Sequence, residues 1–412
     1  GLGVASLCEK GRRGVRWEGV DEKVARVVAE ANLDHAPDRR RVREAFKEAQ
    51  LGIDHCLFKS YVRNSRGIEI FSKSWLPENS RIKALVCFCH GYGDTCTFFF
   101  EGIAKKIASA GYGVFALDYP GFGLSEGLHG YIPSFDALVD DECKRENKER
   151  QCLTFTKSYT SQEKVSMSVS EDEMGFKASE VTLCQGQAYA IELEMVLKVS
   201  KSCFIDKSKE ILGHTNPEYK GIPSFLFGQS MGGAVALKIH FKQPDAWDGA
   251  ILVAPMCKIA EDVVPSWPVQ QILICIAKIL PREKLVPQKD LAELAFKDLK
   301  KREQTSYNII AYKDKPRLRT ALEMLRTTQE IESRLEEVSL PLIILHGEAD
   351  LVTDPSVSKA LYEKASSSDK KLCLYKDAYH SLLEGEPDET IFSVLDDIIS
   401  WLNAHCTTST AS

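Results

Sequence analysis

Apolar residues follow two rhythms along this chain. Short continuous runs bounded by glycine or proline predict buried strands. Stretches where apolar residues recur every three or four positions predict amphipathic helices. The runs at 84–90, 113–118, 224–227, 250–254, 341–346 and 371–375 read as strands. Residues 61–63 and 68–75 read as a hairpin around Asn64-Ser-Arg-Gly67. The helical rhythm covers 20–32 (Val24, Val27, Val28 and Ala31 on one face) and a second helix from Asp38 (Val42, Ala45, Phe46, Ala49). It returns at 98–110, at 234–241 and at 388–404. Strands and helices alternate through short glycine loops, which predicts an α/β chain: a mainly parallel sheet covered on both faces.

Two stretches break the alternation. A helix starts at Ser134, but residues 151–170 are rich in Ser, Thr and Lys, and Glu171-Asp-Glu adds an acidic turn. The crossover from 113–118 to 224–227 is about a hundred residues long where one helix would suffice. Residues 151–214 are therefore read as an atypical insertion. Residues 256–330 are helical, and 269–280 is apolar nearly all round between Pro268 and Pro281. That piece is either a buried core helix or a cap over an acyl-binding pocket. The expected organisation is an N-terminal helical extension 1–55, a main domain 56–405 interrupted by 151–214 and by a helical cap 256–330, and a tail 406–412.

Composition narrows the class. Hydrophobic content of 44% and charged content of 27% over 412 residues are ordinary for globular chains. A net charge of −6 carries no nucleic-acid footprint. The 13 cysteines include no C-x-x-C pair, so they read as small core hydrophobes in a reduced compartment. No apolar run is long enough to span a bilayer. The chain opens on Gly1, which reads as a fragment or processed form. Arg12, Arg13 and Arg16 read as a solvated tail, with the end of a transit peptide as the alternative. Arg39, Arg40, Arg41 and Arg43 line the polar side of the second helix. The two helices read as a hairpin packed on the main domain or, on a sharper reading, as a basic surface for anionic lipid.

The candidate chemistry centres on Gly228-Gln-Ser230-Met-Gly232, a G-x-S-x-G turn between a predicted strand and a predicted helix. That context lifts a serine hydroxyl to a helix N-terminus, where the Met231 amide can face an oxyanion. A second match, Gly123-Leu-Ser125-Glu-Gly127, lies in a glycine- and proline-rich loop with no helix after it and reads as structural. A serine nucleophile needs a neutral imidazole and a carboxylate to hold it. Asp350 and His380 follow strand ends in the order Ser, Asp, His, with Asp354 as a rival acid. His90-Gly-Tyr92-Gly reads as an amide-donor loop that pairs the Tyr92 N–H with that of Met231, and His346 as a brace for the acid turn.

Together, His90-Gly-Tyr-Gly, Gly-Gln-Ser230-Met-Gly-Gly, His-Gly-Glu-Ala-Asp350 and Tyr-His380-Ser-Leu-Leu-Glu-Gly-Glu-Pro-Asp388 resemble the plant monoacylglycerol lipases of the α/β-hydrolase superfamily. This branch includes lysophospholipases and caffeoylshikimate esterase. The resemblance covers about residues 20–141 and 216–405, and departs from the family pattern over 151–214, which reads as an in-frame addition. It implies an eight-stranded, mostly parallel sheet, a helical cap after the sixth strand, and no cofactor or metal. It also implies Ser230 as nucleophile, His380 as base, Asp350 as orienting acid, and the Tyr92 and Met231 amides as oxyanion hole. The expected activity is hydrolysis of carboxylic esters through an acyl-enzyme, with monoacylglycerol or lysophospholipid as substrate. An aromatic acyl ester such as caffeoylshikimate is the alternative, as is an impaired, ligand-binding member of the family. The expected partners are a small lipid or acyl ester and a peripheral membrane contact, not nucleic acid. The oligomeric state is left open. The expected place is the cytoplasm, with a plastid as the alternative.

Overall fold

Runs that are apolar on both faces are stable as strands only where both faces are covered, and the runs at 113–117, 224–229, 249–253 and 342–347 lie fully buried within one eight-stranded sheet. The computed structural model describes residues 4–6, 16–18, 22–49, 58–77, 81–142, 222–258, 266–286 and 290–406. The readings placed on 151–214 and on Arg12 and Arg13 lie outside these residues. An N-terminal pair, β1 (Val4–Ser6) and β2 (Arg16–Glu18), is antiparallel. The main sheet holds β3 (Phe58–Arg63), β4 (Glu69–Trp75), β5 (Leu85–Cys89), β6 (Gly113–Leu117), β7 (Ser224–Gln229), β8 (Gly249–Val253), β9 (Leu342–Gly347) and β10 (Lys370–Tyr375). Its order is β10-β9-β8-β7-β5-β6-β4-β3. The β3–β4 and β4–β6 pairings are antiparallel, and all others are parallel. The eight-stranded, mostly parallel sheet implied by the resemblance is therefore present.

Besides the helical stretch 135–142, the α-helices whose bounds lie among the described residues are α1 (Glu22–Glu30), α2 (Ala36–Ala49), α3 (Phe99–Ser109), α4 (Met231–Lys242), α5 (Trp267–Ile279), α6 (Leu291–Ala295), α7 (Leu299–Gln304), α8 (Leu318–Ser333), α9 (Pro355–Lys364) and α10 (Asp388–Cys406). The pleat splits each strand between two apolar layers. Phe225, Phe227, Ile251, Val253, Ile343 and Leu345 share one layer with residues of α3 and α10. Leu226, Leu252 and Ile344 share the other with Val235 and Ile239 of α4. Strand β7 extends past its apolar run to Gln229, because β5 and β8 pair with it on both sides up to Gly228 and Gln229. The chain passes from β5 to β6 on one side and reaches β7 on the other. The C-terminal ends of β5 and β7 thus flank a topological switch point, where open sheets of this kind carry their sites.

The N-terminal helices form the expected hairpin around Val24, Val28, Val42 and Phe46. On the arginine face of α2, two residues anchor the hairpin to the main domain, as the first reading has it. Arg39 is fully buried. Its guanidinium donates to the carbonyls of Gly123 (2.6 Å), Ser125 (2.6 Å) and Leu33 (2.8 Å). Arg40 donates to Leu124 O and pairs with Glu69 at 2.6 Å. These two arginines organise the loop after β6 rather than face solvent or lipid. Burial lowers the Arg39 guanidinium to about 10, so it stays charged at neutral pH. Arg39→Met should cost about 3 kcal/mol in urea unfolding, because it strands several buried carbonyls. A change below about 1 kcal/mol would show that those carbonyls find other donors.

Helix α5 also departs from one of its two readings. Trp267 is 70% exposed and Ile279 78%, and Ala277 alone among its residues is buried. A buried core helix would hide these side chains. Instead, α5 lays Leu273, Ile274 and Ile276 on Leu318 and Leu322 of α8 and leaves an apolar face uncovered.

Candidate active site

The glycines of the turn after β7 are fixed by contact. A Cβ on Gly232 would lie 1.8 Å from Cys89 O, and one on Gly228 would lie 2.5 Å from Gly232 O. Only glycine lets α4 start this close to β5. Ser230 sits between them at φ 53°, ψ −119°, a conformation that non-glycine residues rarely adopt. Three backbone bonds hold it there: Ser230 N–H donates to Val253 O, and Ser230 O accepts from Gly233 N and Met256 N. The serine therefore projects from the central strand at the N-terminus of α4, whose first amide, that of Met231, has no intrahelical acceptor.

Ser230, His380 and Asp350 come from three strand ends and meet as a relay. Ser230 Oγ lies 3.0 Å from His380 Nε2, and His380 Nδ1 lies 2.7 Å from Asp350 Oδ2. A neutral imidazole that donates from Nδ1 to the carboxylate leaves Nε2 free to accept the serine proton. Asp350 is itself held on every side. Its Oδ1 accepts from Val352 N (2.7 Å) and Thr353 N (3.0 Å), and its Oδ2 from Thr353 Oγ1 (2.9 Å). His346 Nε2 lies 3.1 Å from the same Oδ2 and 3.0 Å from Thr353 O, so that nitrogen carries the proton and Nδ1 accepts from Ser358. Burial alone would push the Asp350 carboxyl up. The charge that His380 carries once protonated, and the hydrogen bonds from His346 and His380, outweigh it and hold the carboxyl well below the usual carboxylate range.

The remaining candidates have other duties. Asp354, the rival acid, caps α9 by accepting from Ser356 N at 2.7 Å. Ser125 is buried, donates to Asp118 O and accepts from Phe71 N, so the second G-x-S-x-G serine is structural. His90 accepts from Tyr119 N at Nε2 and donates from Nδ1 to Gly91 O at 2.8 Å. Burial lowers its proton affinity, so it stays neutral and braces the turn. A Cβ on Gly91 would lie 3.5 Å from Ser230 Cβ, so the Gly91–Tyr92 turn packs directly on the serine. Beneath that turn, Asp118 accepts from Thr95 Oγ1 and Cys96 N (2.7 Å each) and from Leu124 N (2.8 Å).

Two carboxyls near the relay have no counterpart in the sequence reading. Glu384 Oε1 accepts from Gln229 Nε2 at 2.5 Å, and burial pushes its carboxyl up to about 7. Asp94, on the turn after β5, is pushed up to about 8 by burial and then by the charge of Glu384. Thr353 was also missed. Its hydroxyl touches both Asp350 and His380. No periodicity marks any of the three. The one signal was the place of Glu384 within the Tyr-His-Ser-Leu-Leu-Glu-Gly motif.

Comparison with known proteins follows this geometry. The family model described as serine aminopeptidase, S33, matches residues 80–147 and 199–388. Caffeoylshikimate esterase of Arabidopsis thaliana is 32% identical over 346 residues, covering 84% of this chain and 85% of that protein. Monoglyceride lipase of Homo sapiens is 24% identical over 348 residues, covering 84% of this chain and 90% of that protein. Among solved structures, a soluble variant of monoglyceride lipase from Saccharomyces cerevisiae, in complex with a substrate analog, superposes with a TM-score of 0.61 at 19% identity. That match covers 86% of this chain and 97% of the other, a likeness of fold.

Proposed function

Because the chain belongs to the serine aminopeptidase, S33, family, we propose that Ser230 is its nucleophile, His380 its general base and Asp350 the acid that orients the histidine. The protein is a serine hydrolase acting on carboxylic esters. The observation that carries the assignment of roles is the continuous relay from Ser230 Oγ through His380 to Asp350. In the first half-reaction, Ser230 Oγ attacks the ester carbonyl carbon as its proton passes to His380 Nε2. The carbonyl oxygen becomes an oxyanion, received by the amides of Met231 and Tyr92. Collapse breaks the C–O bond, and His380 returns the proton to the leaving alcohol. Water then repeats the sequence on the acyl-enzyme, releasing the acid and restoring Ser230.

For the substrate we favour a long-chain monoacylglycerol or lysophospholipid taken from a lipid surface. The uncovered face of α5 supports this: Trp267, Val269, Ile272 and Ile279, with Leu280 directly after the helix, are exposed within the β8–β9 crossover. A patch of this kind suits peripheral contact with lipid. Among the described residues no helix is long and apolar enough to cross a membrane. The 32% identity to caffeoylshikimate esterase favours a second reading, an aromatic acyl ester. Comparing kcat/KM for a long-chain monoacylglycerol, a lysophosphatidylcholine and caffeoylshikimate decides between them, and a tenfold preference for the caffeoyl ester would sink the lipid reading. On the lipid reading, the double variant Trp267→Glu, Ile279→Glu loses roughly tenfold on vesicle-borne monoacylglycerol, the contribution of one or two apolar side chains. The same variant should keep wild-type rates on p-nitrophenyl acetate in solution. Equal losses on both would place the effect in folding rather than in lipid contact.

A further inference from the structure

Glu384 stands four residues beyond His380 on the loop that follows β10. Its bond from Gln229 Nε2 reaches the residue directly before Ser230. That bond joins the two segments whose relative placement sets the distance between serine and histidine. The other oxygen, Oε2, is buried and has no hydrogen-bond partner among the described residues. A buried carboxyl oxygen without a donor is costly. Glutamine would tie the same two segments together with no ionisable group to bury, so a tether alone does not account for an acid here. The titratable groups that act on this carboxyl are His380, on its own loop, and Asp94, on the turn after β5. Asp94 is in turn bonded to the Asn308 side chain and the Thr95 amide.

We propose that Glu384 is a positioning residue for the reacting pair: through Gln229 it fixes the serine turn to the histidine loop, and its carboxylate is a second anion, beside Asp350, that stabilises the imidazolium formed when Ser230 gives up its proton. This rests on the assignment of Ser230 and His380 as nucleophile and base. Glu384 exchanges no proton with the substrate. The proton moves from Ser230 Oγ to His380 Nε2 and on to the leaving alcohol, and Glu384 lowers the energy of the charged stage between. With its carboxyl at about 7, this anion is mostly absent at pH 5.5 and mostly present at pH 8. Asp94, at about 8, keeps its proton through most of that range and does not oppose the ionisation.

The test measures kcat and KM on p-nitrophenyl butyrate from pH 5.5 to 8.5 for wild type, Glu384→Gln and Glu384→Leu. Each protein is also labelled with a fluorophosphonate. Glu384→Gln keeps a hydrogen-bond acceptor for Gln229 and removes the charge. It should lower kcat about tenfold at pH 8, the effect of one nearby charge in a partly shielded site, with KM within twofold. The ratio to wild type should shrink toward one at pH 5.5. Glu384→Leu should lose more at both ends of the range, because the tether goes too. Thermal unfolding gives a second readout. A carboxyl near 7 in the fold and near 4.5 when free favours the folded state below pH 4.5 and loses that advantage as pH rises to 7. Glu384→Gln should therefore gain melting temperature relative to wild type between pH 5 and pH 8. A ratio that does not change with pH, or a Glu384→Gln enzyme with wild-type kcat, overturns the proposal and leaves Glu384 a plain tether. Wild-type protein that neither labels nor turns over would instead count against the assignment of Ser230 itself.

Discussion

Ser230→Ala will lower turnover roughly a millionfold, the loss seen when one member of a serine–histidine unit is removed. The size follows from the chemistry: without Oγ there is no acyl-enzyme, and the histidine has no proton to take. The fold should survive. Alanine carries a Cβ as serine does, so the φ of 53° costs no more than before. The backbone bonds to Val253, Gly233 and Met256 do not involve Oγ. Oγ itself bonds to His380, a single hydrogen bond worth about 1 kcal/mol. Urea unfolding within about 1 kcal/mol of wild type, together with abolished fluorophosphonate labelling and ester turnover, is the expected pair of results. A folded variant that kept more than about 1% of the wild-type rate would remove Ser230 from the nucleophile's role.

Asp350→Asn should cost about ten-thousandfold in kcat, through the tautomer of His380 rather than through geometry. The carboxylate accepts on every side: from two backbone amides at Oδ1, and from Thr353, His346 and His380 at Oδ2. Asparagine has one oxygen to offer. If its amide group faces His380, Nδ1 must accept, Nε2 carries the proton and cannot take one from serine. If it turns the other way, its N–H₂ meets the amides of Val352 and Thr353, donor against donor. Stability should fall as well, and with a definite pH dependence. A carboxyl held below its free value stabilises the fold above about pH 4 and loses that contribution as pH falls through the folded value. The gap between wild type and Asp350→Asn in denaturant unfolding should therefore be widest near neutrality and narrow below about pH 4. Equal turnover in the two proteins would mean that another group orients His380. Thr353, whose Oγ1 lies 3.1 Å from His380 Nδ1, would be the group to change next.

Much of this architecture is a local matter, and so could be read without coordinates. Five of the strands, β5 to β9, are apolar runs, and a run that cannot face water on either side must sit inside a covered sheet. Glycine at 228 and 232 around a serine, with a strand before and a helix after, marks a tight turn wherever it stands. The same reasoning set the Ser125 match aside, because nothing helical follows it, and the buried Ser125 bonds to Asp118 and Phe71 in keeping with that. Asp350 and His380 were legible because each follows a strand end in a parallel sheet. Strand ends on one edge of such a sheet are close in space whatever their separation in sequence.

What the sequence determined by itself is thus the main sheet and most of the larger helices, though not β1, β2 or α9, together with the side of the sheet that carries the chemistry and the three residue types that meet there. The tertiary structure decided the rest, wherever the answer depends on what lies opposite. An arginine-rich helix face looks the same whether it meets water or a ring of carbonyls, and only the loop at 121–127 shows that Arg39 is buried. An apolar helix looks the same whether it fills a core or lies on a surface, and only its packing on α8 leaves Trp267 and Ile279 uncovered. Gln229 and Glu384 stand 155 positions apart and become partners because β7 and the loop after β10 end at the same edge. Periodicity reports how a residue relates to its own element. Burial, ionisation and pairing are properties of two elements together, and chain topology alone sets which two those are.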